Sequence, residues 1–161
     1  MNQEVAFKSF SGETPRRIVV RDTDQQVWVL QGKSLIAIPQ YENVTPAKVL
    51  TISCRDEDYL DKNKGNAIYL GLNHFDGLSL SCVESGGHAT LKLEEKKITD
   101  LYNSKKAEKP FVFYLKETGN TATFESAACP GWFICTSKMG EPVSMTQDSG
   151  KEKHTNFYLE D

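Results

Sequence analysis

Four cysteines, three histidines and two short runs of carboxylates are the residues of this chain that could do chemistry. Cys54, Cys82, Cys129 and Cys135 contain no CxxC pair, and His74, His88 and His154 stand far apart. The ligand spacing that zinc or an iron–sulfur cluster needs is therefore missing. A nucleophilic cysteine needs a base beside it, and Cys129, just before the turn Pro130–Gly131, has none within reach of a sequence argument. Cys54, Cys82 and Cys135 end or interrupt apolar runs, where a free thiol packs as a small hydrophobe. Free, buried thiols are expected rather than the two disulfides that an even count also allows. No serine sits in a GxSxG elbow, and Gly86–Gly87 lacks the strand–loop–helix setting of a phosphate loop, so it reads as a turn. Asp56-Glu57-Asp58 and Glu94-Glu95 lie among lysines and read as solvated surface; a glycosidase pair would need a cleft and one raised pKa. Lys96–Lys97 and Lys105–Lys106 make a thin case for a sulfated sugar, because glutamates stand among them. The expectation is no catalysis, no cofactor and no metal.

With no reaction centre, the work falls to surfaces held by a scaffold. The chain has 161 residues, enough for one domain that buries about two-thirds of its unfolded surface. Hydrophobic residues make up 39% and charged residues 25%, and the net charge of -3 gives no general pull toward nucleic acid or anionic lipid. No window is long enough to cross a bilayer. The opening MNQEVAFKSFSGETPRR lacks the apolar stretch of a signal peptide, so the expectation is synthesis in the cytosol. Asn43-Val44-Thr45 matches a glycosylation acceptor, read here as accidental on that ground.

The elements read as strands. CPGWFICTSKMGEPVSMTQ, Cys129–Gln147, reads as a hairpin turning near Gly140. It is echoed by QVWVLQGKSLIAIP, which turns at Gly32, and by AIYLGLNHFDGLSLSCV, which turns at Asp76–Gly77. RRIVVRD, AKVLTISCR, TLKLE, FVFYLKE, TATFESAA and NFYLED supply further strands, and Asp56–Asn66 and DSGKEKHT read as polar loops. Ile98, Leu101 and Tyr102 at i, i+3, i+4 predict one short helix over 98–103, stopped before Pro110. Roughly twelve short strands without a βαβ rhythm argue for an all-β fold, either a β-trefoil with pseudo-threefold symmetry or a sandwich. The expected core is Val27, Val29, Leu35, Ile52, Leu70, Leu80, Leu93, Phe113, Phe124, Phe133, Met145 and Phe157. Residues 1–16 read as a flexible tail and 17–161 as the folded domain.

Taken together, QQVWVLQGKSLIAIP, GNAIYLGL, LKLEEKKITDLY, KPFVFY, TATFESAACPGWFICTS and NFYLED resemble the interleukin-1 family of cytokines, most of all its interleukin-36 branch. FESAACPGWF, Phe124–Phe133, is the most specific piece, and the likeness runs from about Asp22 to the end. The resemblance implies a twelve-strand β-trefoil and a secreted agonist made without a signal peptide. It implies binding to a specific receptor, the interleukin-36 receptor (interleukin-1 receptor-like 2), followed by the interleukin-1 receptor accessory protein and signalling to NF-kappa-B. A monomer is expected, with no nucleic acid and no membrane insertion.

The branch also implies activation by a protease. Its new N-terminus lies nine residues before a small-or-aliphatic–x–Asp element, here Val20-Arg21-Asp22, where relatives often carry Ala or Ile first. Counting back gives Ser11, so residues 1–10 would be removed. By family position the primary receptor would meet residues near Ser11–Arg17 with Gln40 and Tyr41. The accessory protein would meet the loops Asp56–Asn66 and Gln147–His154, with Tyr59, Lys62, Asp148, Lys151 and Lys153 as candidate contacts. The alternatives are a receptor antagonist of the same family, with which ACPGWFICT is also compatible, and a trefoil of another kind such as a lectin or protease inhibitor. Against a lectin, Trp28 and Trp132 have no third partner in the middle of the chain, where Tyr69 stands.

Overall fold

Alternating Val, Ile, Leu and Phe set the strands, and pairing of distant strands sets the fold. The computed structural model describes residues 14–41, 43–72, 77–148 and 153–161. The strands are β1 Arg16–Asp22, β2 Gln26–Gln31, β3 Ser34–Pro39, β4 Val49–Ser53, β5 Asn66–Leu72, β6 Leu78–Ser85, β7 His88–Glu95, β8 Val112–Thr118, β9 Thr121–Ser126, β10 Phe133–Cys135, β11 Ser144–Thr146 and β12 Phe157–Glu160. A helix α1, Ile98–Asn103, stands where the Ile98/Leu101 spacing puts it.

Six of these strands form a ring. β1 pairs with β4, β4 with β5, β5 with β8, β8 with β9, β9 with β12, and β12 returns to β1, antiparallel at every step. The other six form the hairpins β2–β3, β6–β7 and β10–β11. Each hairpin joins its barrel strand at an equivalent point: Arg21 opposite Val27, Gly71 opposite Ser79, Glu125 opposite Phe133. Three four-strand units, closed into one barrel with three hairpins, make a β-trefoil. Helix α1 and a 3-10 turn at Lys109–Phe111 lie between β7 and β8, which lengthens the second unit.

The barrel interior holds Ile18, Val20, Trp28, Leu70, Leu80, Phe113, Phe124, Ile134 and Phe157, all at most 1% exposed. Trp28, Phe124 and Phe157 form an aromatic triangle with ring centroids 5.4–6.1 Å apart. A second cluster lies outside the ring. Ile98 and Leu101 of α1 cover Ile52, Ala67, Tyr69, Val112 and Tyr114. β5 is therefore buried on both faces, and its sequence reads as an unbroken apolar run for that reason. Gly65, at φ 111°, opens β5 where a Cβ would strike the carbonyl of Leu115 on β8.

Four expectations need correction. Phe133, Val29 and Leu93 are only half-buried, and Trp28 and Ile134 take the interior places. In the second unit the capping hairpin is β6–β7, turning at Gly86–Gly87. The pairing across Gly77 is the short junction between β5 and β6, equivalent to β1–β2 in the first unit; Asp76 lies outside the described residues. All four cysteines are buried and free, as their apolar settings suggest. Trp28→Ala or Phe124→Ala is expected to cost about 3–5 kcal/mol in chemical denaturation. Phe133→Ala is expected to cost less than half of that.

Candidate functional site

Asp22 follows from the strand it ends. Fully buried at the close of β1, its carboxylate accepts four hydrogen bonds. Oδ1 accepts from the Asp24 and Gln26 backbone N–H at 2.8 and 2.9 Å. Oδ2 accepts from Gln26 Nε2 at 2.9 Å and from Thr136 Oγ1 at 2.6 Å. The first pair shapes the β1–β2 turn, where Gln25 takes a positive φ of 66°. The Thr136 bond ties that turn to the third unit, and Gln26 Nε2 adds a second tie by donating to the Ser137 carbonyl at 2.9 Å. Val20 is also fully buried. The Val20-Arg21-Asp22 element is thus part of the frame, and only Arg21 between its ends reaches the surface. Ser11 lies outside the described residues.

One face gathers several of the predicted contacts. Arg21 donates to Glu160 on β12 at 3.0 and 3.3 Å and to Gln40 Oε1 at 2.8 Å. Next along the chain, Tyr41 is 56% exposed, and its hydroxyl lies 3.9 Å from Met139 Sδ. Met139 is 64% exposed. The loop that carries it is fastened to β3: Gly140 N–H donates to the Ala37 carbonyl, Ala37 N–H to Glu141, and Val143 N–H to Leu35. Pro39 ends β3, and the chain turns so that Val44 N–H bonds the Tyr41 carbonyl. Two chain segments separated by 98 positions thereby set an aromatic ring beside a thioether in open solvent. Arg17 is exposed on β1, and Arg16 pairs with Asp161 at 2.9 Å.

A second group surrounds the loop between β4 and β5. Asp56 caps its 3-10 turn through the Asp58 N–H and accepts from the Ala107 N–H at 2.9 Å, which joins this loop to the segment after α1. Those two backbone donors, that from Ala107 foremost, lower the pKa of Asp56. Lys64 reaches Glu125 at 3.5 Å and lies over the Tyr114 ring at 5.6 Å. Lys62 is exposed. Tyr59, expected as an exposed anchor, is half-buried and packs on the cluster beneath α1; the exposed apolar residue there is Leu60, at 69%. Asp148 is exposed beside β11, with its N–H on Thr146 Oγ1. Lys153 is half-buried; burial pushes the Cys135 thiol up, and the charge of nearby Lys153 offsets only part of that rise. Lys151 lies outside the described residues.

Chemistry does not converge on any of these places. His88 stacks edge-on to Trp132 at the tip of β6–β7, and His154 pairs with Thr136 and meets Thr23; His74 lies outside the described residues. Glu94 accepts from Ser81, Glu95 pairs with Lys33, and Lys96 pairs with Glu108. One hollow of about 330 Å³ is lined by Leu35, Leu80, Leu91 and Val143. Another, of about 480 Å³, is lined by Asp56, Tyr59, Lys64, Lys106 and Tyr114. Neither is lined by His or Cys. Among the described residues no group of three or more His, Cys, Asp or Glu is placed to hold a metal, and no helix is long and apolar enough to cross a membrane. Sequence reasoning does not reach Met139, Leu60 or Glu160, and it names Arg21 only as the middle of the Val20–Asp22 element. Only the unexplained exposure of apolar side chains marks the first two.

The family model for Interleukin-1 / 18 matches residues 39–159. Human interleukin-36 alpha is 44% identical over 153 residues, covering 94% of this chain and 96% of that protein. Rat interleukin-1 receptor antagonist protein is 47% identical over 147 residues, covering 87% and 75%. An NMR structure of the pro-inflammatory cytokine interleukin-36alpha superposes with a TM-score of 0.76 at 42% identity, covering 99% of this chain and 98% of that one.

The Asp22 network predicts its own energetics. Asp22→Ala strands buried donors and is expected to lower unfolding free energy by about 2–4 kcal/mol. Thr136→Val, which removes one of the four bonds, is expected to cost about 1–2 kcal/mol. Urea titration at constant m-value checks both.

Proposed function

This chain belongs to the interleukin-1 family, whose members are cytokines rather than enzymes, and we propose that it is an agonist of the interleukin-36 kind. In this reading it acts outside the cell, reached without a signal peptide. It binds the interleukin-36 receptor (interleukin-1 receptor-like 2) and presents a composite face to the interleukin-1 receptor accessory protein. The paired receptors then signal to NF-kappa-B. The observation that carries the reading is the Tyr41–Met139 pair, exposed beside Arg21, Gln40 and Glu160 on a loop fastened to β3 by backbone hydrogen bonds. A large apolar pair ringed by polar groups has the composition of a protein-contact hot spot. Receptor-sized contacts bury about 1,200–2,000 Å² or more in total, so neighbouring Arg17 falls inside such a footprint. Lys62, Asp148, Lys151 and Lys153 remain candidates for the accessory protein.

Activation in this reading is removal of residues 1–10, with Ser11 as the new N-terminus. β1 runs antiparallel to β4, with Arg16 opposite Thr51. Cleavage before Ser11 leaves five residues ahead of Arg16, a reach of at most about 17 Å.

A second reading, receptor antagonist, is favoured by the 47% identity to the rat interleukin-1 receptor antagonist protein. A reporter cell carrying both receptors separates the two. The 11–161 form is expected to signal at concentrations at least about tenfold below full-length protein, and Tyr41→Ala or Met139→Ala to weaken primary-receptor binding about 10–100-fold. Silence from both forms, combined with blockade of a known agonist, would establish the antagonist instead.

A further inference from the structure

Cys82 and Cys129 face one another inside the molecule. Their Sγ atoms are 3.4 Å apart, and both side chains are at most 2% exposed. The other two thiols have different partners: Cys54 bonds the Tyr69 hydroxyl at 3.6 Å, and Cys135 meets Ser144 Oγ at 3.4 Å. One thiol pair among four is thus placed to become covalent. We propose that Cys82 and Cys129 are a disulfide-forming site, reduced where the chain is made and closed by a small-molecule disulfide in an oxidising medium. The site is independent of which receptor the chain binds.

Local structure decides which sulfur reacts first. Cys82 lies within β6, wholly enclosed, and burial pushes its thiol up to about 12. Cys129 stands in the turn between β9 and β10, held by its N–H on Ser126 Oγ at 3.0 Å and by the Trp132 N–H on its carbonyl at 3.1 Å. Such a turn opens at far lower free energy than a paired strand. During opening the Cys129 thiol loses its proton to solvent, and its thiolate attacks one sulfur of oxidised glutathione. That S–S bond breaks and one glutathione thiolate leaves. On closing, Cys82 gives up its proton, and its thiolate attacks the Cys129 sulfur and expels the second glutathione. The protein loses two electrons and two protons, and one glutathione disulfide becomes two glutathiones. The high pKa of Cys82 makes the closing step slow at neutral pH, but the contact makes the product stable once formed.

The bond would join β6 of the second unit to the end of β9 in the third, across 47 positions of chain. A loop of that length is stabilised mainly by restricting the unfolded chain.

The test uses the full chain in two arms: native protein incubated with oxidised glutathione, and protein refolded from denaturant in a glutathione redox buffer. Refolding gives both thiols access, so slow opening cannot hide the reaction. Denaturing alkylation and non-reducing peptide mapping are expected to find Cys54 and Cys135 modified and Cys82 joined to Cys129. The intact mass is expected to fall by about 2 Da, the two thiol hydrogens. Tm is expected to rise by about 5–15 °C and to fall back on reduction. Cys54→Ser keeps that rise, and Cys82→Ser or Cys129→Ser abolishes it. Four alkylated thiols after refolding, a persistent glutathione adduct at Cys129, or a bond from Cys129 to Cys135 would each overturn the proposal. The mapping on unaltered protein stands even if a serine variant fails to fold.

Discussion

A ring of six strands closes only if the first strand finds the last. Here β1 and β12 pair from Val19–Glu160 to Asp22–Phe157, so the two ends of the described domain lock each other in place. Neither strand can leave without opening the barrel, and opening it exposes Trp28, Phe124 and Phe157 together. Asp22 sits at that seam. Its four hydrogen bonds hold the β1–β2 turn against Thr136, so the closure is fixed by a polar group as well as by apolar burial.

That division lets the surface vary while the barrel does not. The exposed ion pairs Arg16–Asp161 and Lys33–Glu95 contribute little stability, since solvent and salt screen them. Their positions, however, are set by strands whose inward side chains, such as Ile18, Val20 and Phe157, are buried. A face built in this way presents side chains without rearranging first, which lowers the ordering cost of association. Tyr41 gains most from it. An aromatic with a fixed thioether neighbour has fewer rotamers to lose than one on a free loop.

Alternation made the barrel strands legible. β9, with Ala122, Phe124 and Ser126 inward, follows the period of two closely, and the aromatic and β-branched residues of β8 and β12 fall where the interior needs them. Reading failed where two faces are covered at once. In β2 both Val27 and Trp28 are buried, because barrel and hairpin meet there, and alternation cannot choose between them. Phe133, expected in the core, is only half-buried, because β10 follows the turn at Pro130–Gly131 in the parity that turns Ile134 inward. The second unit misled for a similar reason, since the apolar runs on either side of Gly77 look like the arms of one hairpin. Tyr59 stands in a charged loop, yet it packs against an apolar cluster that strands β4, β5 and β8 build together with α1, a contact that local composition does not reveal. The Tyr41–Met139 contact was beyond reach, as it depends on the third unit leaning against the first.

That leaning segment has one more effect. β3 is the outer strand of its hairpin, paired along one side with β2. On the other side Leu35 and Ala37 give their backbone groups to residues 140–143. Without that cover the strand would offer a row of open amides and carbonyls, the template on which separate chains stack into aggregates. A stretch of chain whose visible product is a methionine at the surface also keeps copies of the molecule from adding to one another edge to edge.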